Sequence, residues 1–308
     1  MKHMKLVLKK FAVLLLVMFT LASCQSDIEI VIPEREPELV VEAYINNVAP
    51  LQNYVILGRS LSFFNPSFEN AAVSGAQVTI TEGDFLPNRT YRWDLTTKRQ
   101  LREIKIPGID TALIPGIYFD PKLVSDPLNA LRGVPGKHYL LEITVGDKRY
   151  TATTMVLPVV EIDSLTSGYH FNEDGDPKQP RARLTVNYKD PDTLGNNLMY
   201  YWRSRQNRLG FGWGAMRNDR FANATDELSN GQYIKLTHTA EFEVGDTVSY
   251  YMVSVERKIY NFWNSYNRAR ANGGPFATPV VLENTISGDK VIGSFSGFSV
   301  SRRRIIVK

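Results

Sequence analysis

The chain has 308 residues, 43% of them hydrophobic and 22% charged, a globular composition that excludes disorder, collagen-like repeats and a multi-span membrane protein. Its formal charge of +4 belongs to the first 23 residues, which hold Lys2, Lys5, Lys9 and Lys10 and no acid. Taking these four from the 36 basic residues leaves 32 against 32 acids, and a balanced chain has no electrostatic case for binding nucleic acid.

The N-terminus reads as an export signal over residues 1–23. Lysines precede an unbroken run from Phe11 to Leu21, apolar apart from Thr20, and the run ends at Leu21-Ala22-Ser23-Cys24. That run is about half of the roughly 20 residues a spanning helix needs, so it predicts a cleaved signal rather than an anchor. Leu-Ala-Ser-Cys resembles the bacterial lipobox, which implies that Cys24 becomes the new N-terminus and carries lipid on its sulfur. Cys24 is the only cysteine in the chain, so an internal disulfide and a thiolate enzyme are both excluded. Residues 24–37 are polar and acidic, with Pro33 and Pro37. They predict a tether reaching at most about 45 Å, with the folded body starting near Glu38.

From Glu38 the pattern has period two. The odd positions of Leu39 to Ile45 and the even ones of Ala76 to Thr81 are apolar, which puts one face of each strand on a core. Further strands are predicted over Tyr54 to Ser62, Tyr91 to Leu95, Gly116 to Phe119, His138 to Val145 and Arg149 to Val156, the last two joined as a hairpin by Gly146-Asp147-Lys148. These predict an immunoglobulin-like antiparallel sandwich over residues 38–160. Pro158 interrupts the alternation, and a second β-rich domain is expected over 161–308, opening with Arg183 to Tyr188 and continuing with Leu198 to Arg203 and Thr247 to Val255. One segment departs from this: Val255, Ile259, Phe262, Trp263 and Tyr266 recur at helical spacing, and Arg268, Arg270, Gly273, Gly274 and Pro275 supply stop signals, so a helix is predicted near 255–271. The fold class expected is all-β with that single helix.

Little in the chain points to a reaction. His138, His170 and His238 stand far apart with no second ligand at zinc spacing. There is no Gly-x-Ser-x-Gly elbow and no phosphate-cradling glycine loop. Asn172 to Asp176 resembles part of a calcium loop, but the closing position of that template is Arg183, which repels a cation. Asp190 and Asp192 flank Pro191 and read as turn residues. The expectation is a protein that is not an enzyme, with no metal and no cofactor. The unusual stretch is Tyr200 to Phe221, where aromatic residues and arginines alternate with glycines. Trp202, Phe211, Trp213, Met216 and Arg217 are its candidate contacts for a ligand or partner, because aromatic plus arginine is the composition of interface hot spots.

The second half also carries an ordered set of short motifs: Asp190-Pro191, Met199-Tyr200-Tyr201, Asp226-Glu227-Leu228, Gly231-Gln232, Val244 to Val248, Tyr260 to Trp263, Pro275 to Pro279, Asn284 to Gly288 and Ile292 to Gly297. The first half matches in step, with Leu39 to Ala43, Val73 to Val78, Pro115 to Tyr118 and Gly136 to Leu141. In order and spacing these resemble the Bacteroidota lipoprotein family known as domain of unknown function 4249. The resemblance implies an exported, mainly β lipoprotein, often encoded beside TonB-dependent outer-membrane transporters, and it supplies no catalytic residue. Asp27 and Glu29 are similar to the acidic signals that send such lipoproteins to the cell surface. The function expected is therefore a lipid-anchored accessory protein of a TonB-dependent β-barrel, held to outer-membrane lipid through acylated Cys24 and placed at the cell surface. A free-standing adhesin for glycans or protein is the alternative, and a hydrolase the third reading.

Overall fold

The structure is a computed structural model that describes residues 36–61, 71–105, 114–170, 181–204, 222–225, 230–272, 278 and 280–308. In chain order the strands of the first half are β1 (Leu39–Asn46), β2 (Tyr54–Arg59), β3 (Gln77–Phe85), β4 (Tyr91–Trp93), β5 (Arg99–Leu101), β6 (Ile117–Phe119), β7 (His138–Val145) and β8 (Lys148–Met155), with a single helical turn α1 (Lys122–Ser125) after β6. The second half contributes β9 (Ile162–His170), β10 (Arg181–Lys189), β11 (Asn196–Arg203), β12 (Ala222–Thr225), β13 (Tyr233–Glu243), β14 (Thr247–Glu256), the helix α2 (Arg257–Ala271) and β15 (Val291–Ile306). The described residues are thus mainly β with one substantial helix, as the alternation predicts.

Three sheets carry these strands. A seven-stranded sheet has the order β12-β11-β14-β15-β1-β2-β6, a five-stranded one runs β4-β3-β7-β8 with β5 also on β3, and a three-stranded one runs β13-β10-β9. One face of the large sheet presents the odd positions of β1 and β15 and the even ones of β11 and β14. There Val41, Ala43, Ile45 and Phe295 pack on Val78, Ile80, Leu141 and Ile143 of the five-stranded sheet. Farther along, Leu198, Tyr200, Val248 and Met252 pack on Ile162, Leu184 and Val186 of the three-stranded sheet. The opposite face presents Tyr44, Met199, Val253 and Phe298, which α2 covers with Ile259, Phe262 and Trp263. Trp263 lies parallel to Tyr44 at 6.3 Å and donates its indole N–H to Ser296 Oγ at 3.0 Å, so the helical stripe is core, as its spacing implies.

The strand that organises this arrangement is the one the alternation does not announce. β15 is 16 residues long, yet Gly293, Ser294, Ser296, Gly297, Ser299 and Ser301 replace the expected apolar residues. Small residues are required because neighbouring backbones press close: a Cβ at Gly293 would strike the Val41 carbonyl, and one at Gly297 would lie 2.6 Å from the Met155 carbonyl oxygen. β15 pairs in parallel with β1, from Leu39 opposite Val291 to Asn46 opposite Phe298, and antiparallel with β14. This corrects the expected division at residue 160. The immunoglobulin-like sandwich is closed by a strand from the chain's far end, the large sheet takes strands from both sides of the boundary, and Pro37–Lys308 forms one compact unit.

Candidate functional site

Strict alternation along three neighbouring strands assembles a cationic patch at one end of the large sheet, on the face that α2 covers elsewhere. Tyr201 of β11 lies opposite Tyr251 of β14, which lies opposite Arg302 of β15. One step outward, Arg203, Ser249 and Arg304 form the next row in the same register. The Tyr201 and Tyr251 rings stack at 4.5 Å and 3°. The guanidinium carbons of Arg302 and Arg203 stand 5.5 and 5.7 Å from the centre of the Tyr251 ring, within cation–π range. Both tyrosines are buried, and burial followed by the neighbouring Tyr251 pushes the Tyr201 phenol well above its ordinary pKa against the opposing pull of Arg203 and Arg302. The Tyr201 phenol therefore stays neutral, and arginine supplies the positive charge of the patch.

No carboxylate answers that charge among the described residues. Arg203, Arg302 and Arg304 make no ion pair there, and the Arg203 Nε atom is enclosed without a hydrogen-bond partner. Some arginines elsewhere are paired. Arg183 meets Glu241 at 3.2 Å, Arg92 meets Asp84 at 3.1 Å, and Arg303, pointing to the opposite face from its two neighbours, donates to the Ile162 carbonyl at 3.1 Å. Guanidinium forks left open beside a rigid aromatic stack suit bidentate recognition of carboxylate or phosphate oxygens.

Of the residues the sequence singles out, Trp202 sits next to this patch in the chain but on the other face of the sheet. It is half-buried, with its ring 5.4 Å from His238 and 5.8 Å from Phe242, so it packs toward the three-stranded sheet. Phe211, Trp213, Met216, Arg217 and Cys24 lie outside the described residues. Arg302, Arg304 and Tyr251 are absent from the sequence-based candidates. The signal that could have found them is the run Arg302-Arg303-Arg304, since a strand must send the first and third to one face and the second to the other.

A second feature is a cleft of about 650 Å³ between the outer edge of β8, the start of α2 and the segment 283–287, lined by Thr153, Lys258, Asn261 and Glu283 among others. Its walls are tied together by the edge of β8. Thr151 exchanges backbone hydrogen bonds of 2.9 and 2.7 Å with Ser287, Lys258 Nζ donates to the Thr153 carbonyl at 2.7 Å, and the Met155 N–H donates to Glu256 Oε2 at 2.8 Å. Among the described residues Glu283 is the one carboxylate lining the cleft, short of the facing pair that glycoside hydrolysis uses. Among the described residues no three of His, Cys, Asp and Glu come together as a metal site, and no helix is long and apolar enough to cross a membrane. His170 and His238 lie on strands of the three-stranded sheet and His138 on β7. The calcium-like run of Asn172 to Asp176 lies outside the described residues.

Residues 25–304 match the sequence profile of a family described as domain of unknown function (DUF4249). The chain belongs to that family. The match spans nearly everything after Cys24, and several DUF4249 motif residues have structural duties here. Asn284 donates from Nδ2 to the Ile286 and Val291 carbonyls and accepts at Oδ1 from the Ile286 and Gly293 N–H groups, which fixes the entry into β15. Gly245 and Asp246 form the turn into β14, with the Gly245 N–H donating to the Val307 carbonyl at 2.9 Å. No curated protein matches the chain.

Proposed function

We propose that this DUF4249 protein is a lipid-anchored cell-envelope accessory protein that docks on a TonB-dependent outer-membrane transporter through Arg203, Arg302 and Arg304. The reading draws on the lipobox-like Leu21 to Cys24, on a tether long enough to let the folded body move over a membrane surface, and on the charge balance of the chain after residue 23. The observation that carries it is the row of guanidiniums without carboxylate partners among the described residues, set against two stacked tyrosines at one end of the large sheet. Tyrosine and arginine around a desolvated centre are what protein interfaces concentrate, and an acidic face on the partner completes them.

The test is a photo-crosslinking side chain introduced in turn at positions 203, 302 and 304 in intact cells. An adduct with a heat-modifiable β-barrel protein is expected, and it should disappear when Arg302 and Arg304 are replaced together by glutamate. Absence of any β-barrel adduct at all three positions overturns the proposal.

A further inference from the structure

The five-stranded sheet turns one face to the core and leaves the other to solvent. Val78, Ile80, Tyr139, Leu141 and Ile143 point inward, so alternation turns Phe85, His138 and Met155 outward along β3, β7 and β8. Here four rings gather where the core has no use for them. Phe85 is 47% and Tyr91 39% exposed. Their centres lie 5.0 Å apart, Tyr91 stacks on Trp93 at 4.9 Å and 14°, and His138 stands 5.7 and 5.4 Å from Phe85 and Tyr91. The sheet makes room for them: Gly83 lies opposite Trp93, and a Cβ there would meet the Trp93 ring at 2.5 Å. Other exposed apolar side chains, such as Leu128 and Val281, need no explanation, but a ring cluster open to water does.

The cluster is one end of a continuous band. Trp93, Gly83, His138 and Met155 lie in one lateral row across β4, β3, β7 and β8, three strand spacings or about 14 Å. Two residues along β8 from Met155, Thr153 lines the 650 Å³ cleft, where the Glu283 carboxylate and Asn261 amide have no side-chain partner among the described residues. Lys98 pairs with Glu142 at 2.8 Å and Lys258 with Glu256 at 3.4 Å, and the cleft adds one charge of each sign, Arg257 and Glu283, so neither sign predominates. The ligand that fits is uncharged, has flat apolar faces for the rings and carries hydroxyl groups for the cleft.

We infer that the outer face of the five-stranded sheet binds a neutral polysaccharide, its sugar rings packing on Tyr91, Trp93 and Phe85 and its hydroxyl groups reaching Asn261 and Glu283. This site is separate from the arginine patch and stands or falls without it. The experiment is electrophoresis of the full lipidated protein, in a detergent without a sugar headgroup, through native gels containing dextran, laminarin, xylan or hydroxyethylcellulose. At least one polymer should retard the protein, equally at low and high salt. Trp93→Ala should weaken that retardation by about tenfold or more. So should Phe85→Ala, which removes an exposed ring without touching the core, whereas Arg302→Ala with Arg304→Ala should not. Failure of all four polymers to retard the protein, retardation abolished by salt, or retardation unchanged in both ring variants overturns the proposal.

Discussion

His238 is a neutral ring held between two sheets. It is buried, its Nε2 lies 2.6 Å from the Tyr250 hydroxyl, and burial pushes its pKa down to about 4. In the unfolded chain it protonates near the ordinary value of about 6.5. Because the folded value is the lower one, the full stabilisation is present above the unfolded value and is lost as pH falls from about 6.5 to 4. The loss reaches about 3 kcal/mol. Urea unfolding at a series of pH values should show this slope, and His238→Gln, which keeps a partner for Tyr250 but does not titrate, should flatten it. Gly297 is a residue-scale requirement of another kind. A side chain there meets the Met155 carbonyl oxygen and the Thr154 side chain at 2.6 to 2.7 Å, and it crowds Thr154 Oγ1, which accepts from the Gly297 N–H at 2.9 Å. Gly297→Val should therefore cost about 2 kcal/mol or more in thermal or urea unfolding.

At the scale of the element, β8 is an edge strand that the protein closes with two side chains and a loop backbone. The outward backbone groups of Thr151, Thr153 and Met155 are taken by Ser287, Lys258 and Glu256 in turn, so a helix start and a loop stand in for a missing strand and deny the edge to other chains. Glu256 also accepts from Thr154 Oγ1 at 3.0 Å. Glu256→Ala should leave the fold intact but lower stability by about 1 to 2 kcal/mol. It should also raise the tendency to associate at high concentration, which light scattering would detect. A variant that stays as monomeric as the parent would show that the neighbouring loop is cover enough. The helix itself was legible because its apolar residues recur at 3.6, and β1, β7 and β8 because theirs recur at 2. β15 was not, because its small residues answer to the approach of β1 and β8 rather than to any pattern of its own.

For the whole molecule, the parallel pairing of β1 with β15 means that neither half owns its sheet. Residues 38–160 expressed alone should leave β1 with a bare edge and fail to show a cooperative transition, whereas residues 38–308 should unfold in one step that far-ultraviolet dichroism and tryptophan fluorescence report alike. Two separate transitions in the longer chain would restore the boundary near residue 160. The lipidation expectation belongs to this scale too: Cys24→Ala should leave an unlipidated precursor, and labelling by a fatty-acid analogue should be lost.

Features that act locally were legible in the residue order: a lone cysteine in a lipobox-like setting, charge balance after residue 23, period-two strands with one period-3.6 helix, and turns at Gly146-Asp147 and Gly245-Asp246. Packing alone placed the last strand beside the first, brought Arg203 into one row with Arg304, and gathered Phe85, Tyr91, Trp93 and His138 on one surface. Periodicity fixes which residues of a strand share a face, but not which strands become neighbours. That choice depends on contacts between residues as far apart as Val41 and Gly293, and it is made by the fit of small residues against backbone.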